Sequence, residues 1–297
     1  MLISPLRYPG GKQNLADHFE AVLRDNLLNG CVLYEPYAGG GSITLSMLSR
    51  ELISKAVLIE KDPLLFAFWK CVFEHSESLC DKIQKAQITV STWKNLQCYK
   101  DTDAFKKYDL LDLGFAGLFF NRTNFSGIMN ANPIGGMKQQ SKYTIDCRFN
   151  KARIIELILK ISRYAKEVEV VYGDAVQVLN RRKRRLNRDN VLVYIDPPYY
   201  EQGGRLYRYH YDFEGHRQLA EFIDQQTYPW IVSIDNHPAI LELYEGQVIV
   251  PILFNYVVKQ SKKVEELLIS NMPLSSIMSD EDAKVIIAEA NAKRGIV

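Results

Sequence analysis

The residues best suited to do chemistry are Asp196-Pro197-Pro198-Tyr199-Tyr200. A Pro-Pro pair holds Asp196 and Pro197 extended and fixes the direction of the Pro197 carbonyl. A carboxylate and a carbonyl held side by side are two strong acceptors with no donor. Their natural target is an NH₂ group with two hydrogens to give. Tyr199 adds a flat face on which an aromatic ring can stack. Two acceptors and a stacking ring describe a receptor for an aromatic amine, such as adenine drawn out of a duplex. Such an amine is a poor nucleophile because its lone pair is delocalised into the ring. Hydrogen bonds to both of its hydrogens favour a pyramidal nitrogen and localise the pair. No covalent nucleophile is needed. The five cysteines (Cys31, Cys71, Cys80, Cys98, Cys147) are widely spaced, and no CxxC or Cys/His cluster suggests a metal.

The element that must present this stretch is the run Val191-Leu192-Val193-Tyr194-Ile195. Its β-branched and aromatic content predicts a strand buried on both faces, as in a parallel sheet. The prolines end it, because they cannot donate to a ladder. A carboxylate just past the carboxyl end of a central strand sits where open α/β sheets bind ligands.

A second constellation lies upstream. Residues 31–48 read CVLYEPYAGGGSITLSML. The pattern predicts a strand at 32–34, a tight loop at Gly39-Gly40-Gly41, and a helix capped by Ser42 and running to Arg50. A strand at 56–59 follows and ends in Glu60-Lys61-Asp62. Glu60 lies about 20 residues past the glycines, the spacing of an acid that grips ribose hydroxyls. GxxxxGK[ST] is absent, so this is not a phosphate loop.

Elsewhere the pattern predicts helices near 13–29, 63–75, 151–164 and 215–226, strands at 168–172 and 230–234, and a late hairpin from the runs 247–258 and 264–270. A last helix is expected over 279–294, with Ser279 and Asp282 spaced as a capping box. Residues 77–150 are more polar and hold a turn-rich centre at 119–138. They read as a mostly helical insertion with one hairpin-like arm. The expected organisation is a core of 1–76 and 151–297 interrupted by an inserted domain of 77–150.

The 297 residues suit one large domain or a core with an insertion. A net charge of +2 is nearly neutral, so any basic surface must be local. The N-terminus shows no basic region followed by a long apolar one. No apolar run approaches the roughly 18–20 residues of a membrane span. A cytoplasmic protein with reduced thiols and no membrane partner is expected.

In combination these motifs resemble the Dam-like (alpha-group) adenine-specific DNA methyltransferases, which use S-adenosylmethionine. The matching pieces are PGGK (9–12), EPYAGGGS (35–42), FNRTNFSG (120–127), YGDA (172–175), DPPYY (196–200) and VEELLISN (264–271), in the family's order. The resemblance implies a seven-stranded Rossmann-like methyltransferase sheet with an inserted target-recognition domain. It implies methyl transfer to the N6 amine of adenine in a specific double-stranded DNA sequence, with the base flipped into the DPPY pocket.

The family's roles carry over position by position. Tyr8 and Lys12 fall where the family meets the methionine end of the cofactor, and Lys12 can pair with its carboxylate. Glu35, Pro36, Gly39 and Gly41 match the Gly-rich loop, and Glu60 matches the acid for the ribose. Asp174 matches an acceptor near the cofactor's adenine. Asp196, Pro197 and Tyr199 match the catalytic motif, with Asp196 close to both amine and cofactor.

The arm 119–138 matches the DNA reader. Asn121, Arg122, Thr123 and Asn124 can donate to phosphates or base edges, and Phe125 can wedge between bases. Where GATC-specific members carry an arginine near the tip, this chain has Asn130 beside Ile128. Arg typically reads guanine and Asn adenine, so GATC is not carried over. Arg7 resembles a family basic residue near the target. The run 181–188 (RRKRRLNR) suits either DNA phosphates or a solvated helix end. The expected partner is double-stranded DNA, a cognate restriction endonuclease is left open against a solitary role, and the expected state is a monomer. Two alternatives stay open. One is the same fold acting on cytosine N4, RNA adenine or a protein glutamine amide; the other is a DNA-binding module without catalysis.

Overall fold

The structure, a computed structural model, describes residues 2–7, 15–101, 104–187, 190–201, 203–206, 208–258 and 260–274. Its centre is a seven-stranded sheet of order β3-β2-β1-β4-β5-β7-β6. The strands are β1 (Cys31–Pro36), β2 (Ile53–Glu60), β3 (Val168–Tyr172), β4 (Val191–Ile195), β5 (Trp230–Asp235), β6 (Val248–Val258) and β7 (Gln260–Ser270). The first five run parallel, and β7 lies antiparallel to both β5 and β6. This is the Rossmann-like methyltransferase arrangement that the motifs imply.

Helices between the strands are α1 (Ala16–Asp25), α2 (Ser42–Ser49), α3 (Pro63–Glu74), α4 (Ser76–Lys85), α5 (Val90–Asn95), α6 (Ala104–Lys107), α7 (Leu110–Thr123), α8 (Lys151–Ile161), α9 (Ala175–Leu186), α10 (Gly203–Leu206), α11 (Phe213–Asp224) and α12 (Pro238–Leu241). They form two layers, and strand alternation distributes the core between them. On β4, Leu192 and Tyr194 pack with α1–α3, α7 and α8, whereas Val191, Val193 and Ile195 pack with α9 and α11. Both faces of β4 are therefore buried, as its continuous apolar run requires.

The chain order reverses between β1 and β4. These strands pair in register at Val32 with Val191, Leu33 with Leu192 and Tyr34 with Val193. The loop after β1 is the Gly-rich loop and the loop after β4 is DPPYY. Both therefore open into one crevice at the topological switch point.

Among the described residues, 77–150 contribute to the main core and form no separate cluster. Leu113, Phe115, Ala116 and Phe119 of α7 join the core cluster that holds Phe68, Trp69 and Val72 of α3. Gly117 makes this packing possible, because a Cβ there would collide with the carbonyl of Leu64. The arm is hairpin-like only from Asn124 onward, where Asn124 and Pro133 form an antiparallel bridge. Residues 119–123 are the buried end of α7, and the loop begins only at Asn124. That loop closes on itself through Phe125 N to Asn132 O at 3.0 Å and Ile134 N to Thr123 O at 2.8 Å. The apolar Phe119 and Phe120 pull the arm's first half into the core. The final helix expected over 279–294, Arg188, Tyr8 and Lys12 lie outside the described residues.

Candidate active site

Each wall of the crevice is a strand end. Glu35 at the end of β1 is buried, and its Oε2 accepts from Thr44 N at 3.1 Å. That carboxylate serves the first turn of α2. Ser42 is not the cap: α2 begins at Ser42, and the N-cap is Gly41, at φ +60 with no side-chain bond. Glycine suits both that left-handed backbone and the Trp69 ring, which would lie 3.1 Å from a Cβ. Trp69 Nε1 donates to Gly39 O at 2.8 Å.

Glu60 at the end of β2 completes this wall. Its Oε2 accepts from Gly39 N at 3.0 Å and its Oε1 from Asp62 N at 2.8 Å. Burial pushes both Glu35 and Glu60 up to about 7. Asp174 lies at the rim. It caps α9 through Gln177 N and pairs with Lys61 at 3.1 Å. Its neighbours Gly173 and Ala175 line the pocket.

The DPPYY loop is held from β5 and β7. Asp196 Oδ1 accepts from Ser233 Oγ at 2.8 Å, and Ser233 Oγ in turn lies 2.8 Å from Tyr194 OH. Tyr199 OH donates to Glu266 Oε1 at 2.6 Å. Asp235 accepts from Tyr200 N at 3.0 Å and Glu201 N at 3.1 Å. The two prolines lack N–H groups, so these side chains anchor the loop in place of a ladder. Sequence reading assigned no role to Ser233, Asp235 or Glu266. The only signal was their place at the end of one predicted strand and inside the VEELLISN motif.

The pocket between these walls is lined by Ile59, Glu60, Met129, Gly173, Asp196 and Arg208, among others, and holds about 70 Å³. The roof is the segment around Arg208 to Tyr211. Arg208 pairs with the buried Asp62 at 3.2 Å and donates to Lys100 O at 2.7 Å, and Tyr211 OH lies 2.8 Å from Tyr37 OH. Arg208 was not among the residues singled out from sequence.

The arm meets the same pocket at Gly127 and Met129. Asn121 Oδ1 accepts from Arg7 N at 2.6 Å and its Nδ2 donates to Arg7 O at 2.8 Å. This pins the chain before PGGK onto the arm. Asn124 departs from expectation. It is fully buried, accepts from Trp93 Nε1 at 2.7 Å, and donates to the carbonyls of Ile128 and Met129, each at 2.9 Å. Its amide is engaged by the loop's own backbone. Phe125, at 67% exposure, and Asn130 do face solvent.

Arg7 and Arg122 lie together with Arg148. Arg7 Nη1 and Arg122 Nε are buried without a hydrogen-bond partner. Burial first, then the charges of Arg7 and Arg148, lower Arg122 to about 10. The basic run sits elsewhere. Helix α9 leaves the carboxyl end of β3 and delivers the chain to the amino end of β4, so Arg184 and Arg185 lie toward the edge of the sheet opposite Asp196. Arg182 there is paired with Glu169. No group of three metal-ligating side chains occurs among the described residues, and no helix among them is long and apolar enough to cross a membrane.

Comparison with known proteins adds independent findings. The chain is 23% identical over 205 residues to the Type II methyltransferase M.MjaIII of Methanocaldococcus jannaschii, covering 65% of this chain and 68% of that protein. Solved structures with similarity include a proposed RNA methyltransferase from Pyrococcus horikoshii (TM-score 0.39, 11% identity, covering 89% of this chain and 83% of that one). Another is a proposed methyltransferase, yhhF, from Escherichia coli (TM-score 0.37, 11% identity, covering 91% and 90%). Residues 8–263 match the family described as D12 class N6 adenine-specific DNA methyltransferase. With that match spanning most of its length, the chain belongs to the D12 class of N6 adenine-specific DNA methyltransferases.

Proposed function

We propose that the protein methylates the N6 amine of adenine in a specific double-stranded DNA sequence, using S-adenosylmethionine and a base flipped into the pocket beneath Asp196 to Tyr199. The observation that carries this reading is the meeting of the Gly-rich loop and DPPYY on adjacent strands at the switch point. The residues present fit the cofactor. Glu60 is a buried acid able to accept from a ribose diol, and Ile59, Leu65 and Ala175 give the same pocket an apolar wall for a purine. The bound cofactor would supply an electrophilic methyl group. Tyr8 and Lys12 would hold its methionine end. Glu35, Pro36, Gly39 and Gly41 would shape its seat, with Asp174 near its adenine.

Asp196 and the Pro197 carbonyl receive the two N6 hydrogens, and Tyr199 stacks on the base. With the lone pair so localised, the amine would be placed to take the methyl group as its bond to the cofactor's sulfur breaks, and one N6 proton would leave through Asp196. Residues 77–150 act as the target-recognition insertion. Within it Arg122, helped by Arg7, holds phosphate, Phe125 enters the opened stack, and Asn130 faces the bases. Asn124 contributes only by holding the loop. The protein works in the cytoplasm as a monomer, and its free cysteines support a reducing setting. The Type II designation of the M. jannaschii relative supports pairing with a restriction endonuclease.

The test is methylation of duplex DNA by wild type and Asp196→Ala, with mass spectrometry of digested DNA and RNA products. N6-methyladenine in DNA from the wild type alone is expected. Equal incorporation by the two proteins, or N4-methylcytosine or methylated RNA as the product, would overturn the reading.

A further inference from the structure

The side chain of Asp196 does not reach the crevice unsupported. Ser233 lies on the neighbouring strand β5, buried, with its Oγ 2.8 Å from Asp196 Oδ1. Tyr194, two residues before Asp196 and equally buried, places its hydroxyl 2.8 Å from the same Oγ. The direction of this chain follows from counting protons. An ionised carboxylate only accepts, so Ser233 spends its one hydroxyl hydrogen on Asp196. Ser233 must then accept from Tyr194. The result is a one-way relay, from the buried Tyr194 to the buried Ser233 to Asp196.

The charges around it make such a donor useful. Glu35 from β1 is an electrostatic neighbour of Asp196, and Glu266 from β7 faces the same Tyr194 hydroxyl region. A buried hydroxyl dipole aimed at one of the Asp196 oxygens fixes the carboxylate plane.

We propose that Ser233, oriented by Tyr194, is a positioning residue that holds the Asp196 carboxylate in the geometry needed to accept the amine. The inference deepens the function proposed above and rests on it for its kinetic test. Its structural test does not depend on any substrate.

Ser233→Ala is expected to lower kcat by about 10- to 100-fold, the effect of losing one hydrogen bond to a charged acceptor. KM for cofactor and for DNA should stay within about twofold, because neither is expected to touch Ser233. Tyr194→Phe, which keeps the ring in the core, should lower kcat less, and should add nothing in the Ser233→Ala background. A crystal structure of Ser233→Ala should show the Asp196 carboxylate rotated from its wild-type position. A merely structural Ser233 would lower the melting temperature and leave kcat of the folded protein intact. A wild-type kcat in Ser233→Ala, additive losses in the double variant, or an unmoved carboxylate would each overturn the proposal. Adenine methylation by the wild type, scored in the same assay, reports separately on the underlying reading.

Discussion

The hydroxyl of Tyr199 donates to Glu266 Oε1 across 2.6 Å, tying the ring beside Pro197 and Pro198 to a buried acid on β7. The tether fixes the ring at its hydroxyl end, so its orientation is set before any base arrives. Tyr199→Phe keeps the stacking face and loses the tether. It should lower kcat/KM for DNA by about 3- to 10-fold, in keeping with one hydrogen bond. Tyr199→Ala loses the face as well, and should cost about 10-fold more, the scale of one base-stacking contact. Steady-state methylation separates them, and equal kinetics for Phe and Ala would show that the ring does not hold the base.

Glu60 gives cofactor binding a pH dependence of known sign. Burial, together with the charge of Asp62, raises it from 4.5 to about 7, although N–H groups of Asp62, Gly39 and Lys61 pull the other way. The neutral form is thus favoured below about 7, while a ribose diol binds the carboxylate better. Affinity for S-adenosylmethionine should therefore strengthen as pH rises through 7, by up to about tenfold between pH 6 and 8. Calorimetric titration at several pH values checks this. In Glu60→Gln the affinity should be weaker and should lose this component, leaving whatever Glu35 contributes. The linked effect on the free protein has the opposite sign. A carboxyl raised in the folded state stabilises fully below 4.5, and that contribution is lost as pH climbs toward 7.

Arg122 is a half-buried cation crowded by Arg7 and Arg148, with its buried Nε unpartnered. Arg122→Met should weaken DNA binding at every sequence alike and reduce the slope of log K against log salt by about 0.9, one phosphate contact. Relief of the crowding should leave the melting temperature unchanged or higher. Filter binding across a salt series and thermal denaturation test both halves. A lower melting temperature with an unchanged slope would assign the arginine to the fold.

Arg184 and Arg185 face the other way. Because α9 carries them toward the amino ends of the strands, a duplex held over Asp196 should not reach them. Changing both to Gln should leave the salt slope of DNA binding within error of wild type. A slope reduced by about 1 to 2 would bring the basic run into the DNA interface.

Asn124→Ala should act through stability. It strands Trp93 Nε1 and the carbonyls of Ile128 and Met129 in a buried setting. The expected loss is about 2 to 4 kcal/mol by denaturant unfolding. DNA binding should fall only as far as the loop around Phe125 loosens, and unaltered stability would return Asn124 to the DNA-contacting surface.

Short-range features of this protein were written plainly in its sequence. The apolar run of β4, the prolines that stop it, the glycines after β1 and the acid ending β2 each depend on neighbours a few residues away. Their order alone predicted a parallel sheet with a crevice at its carboxyl edge, and the motif set named the family. Side-chain direction was another matter. Asn124 turns inward because Trp93, 31 residues upstream, waits there with an indole N–H. Asp196 is held from 37 residues downstream by Ser233, and Tyr199 from 67 residues downstream by Glu266. Arg208 closes the pocket against an acid 146 residues away. Periodicity and composition carry no record of such pairings, because a polar side chain faces whichever partner the packed core brings within hydrogen-bonding distance. The sequence determined what chemistry the strand ends could offer. The tertiary structure decided which groups steady them, because burial makes an unmet hydrogen bond too costly to leave to chance.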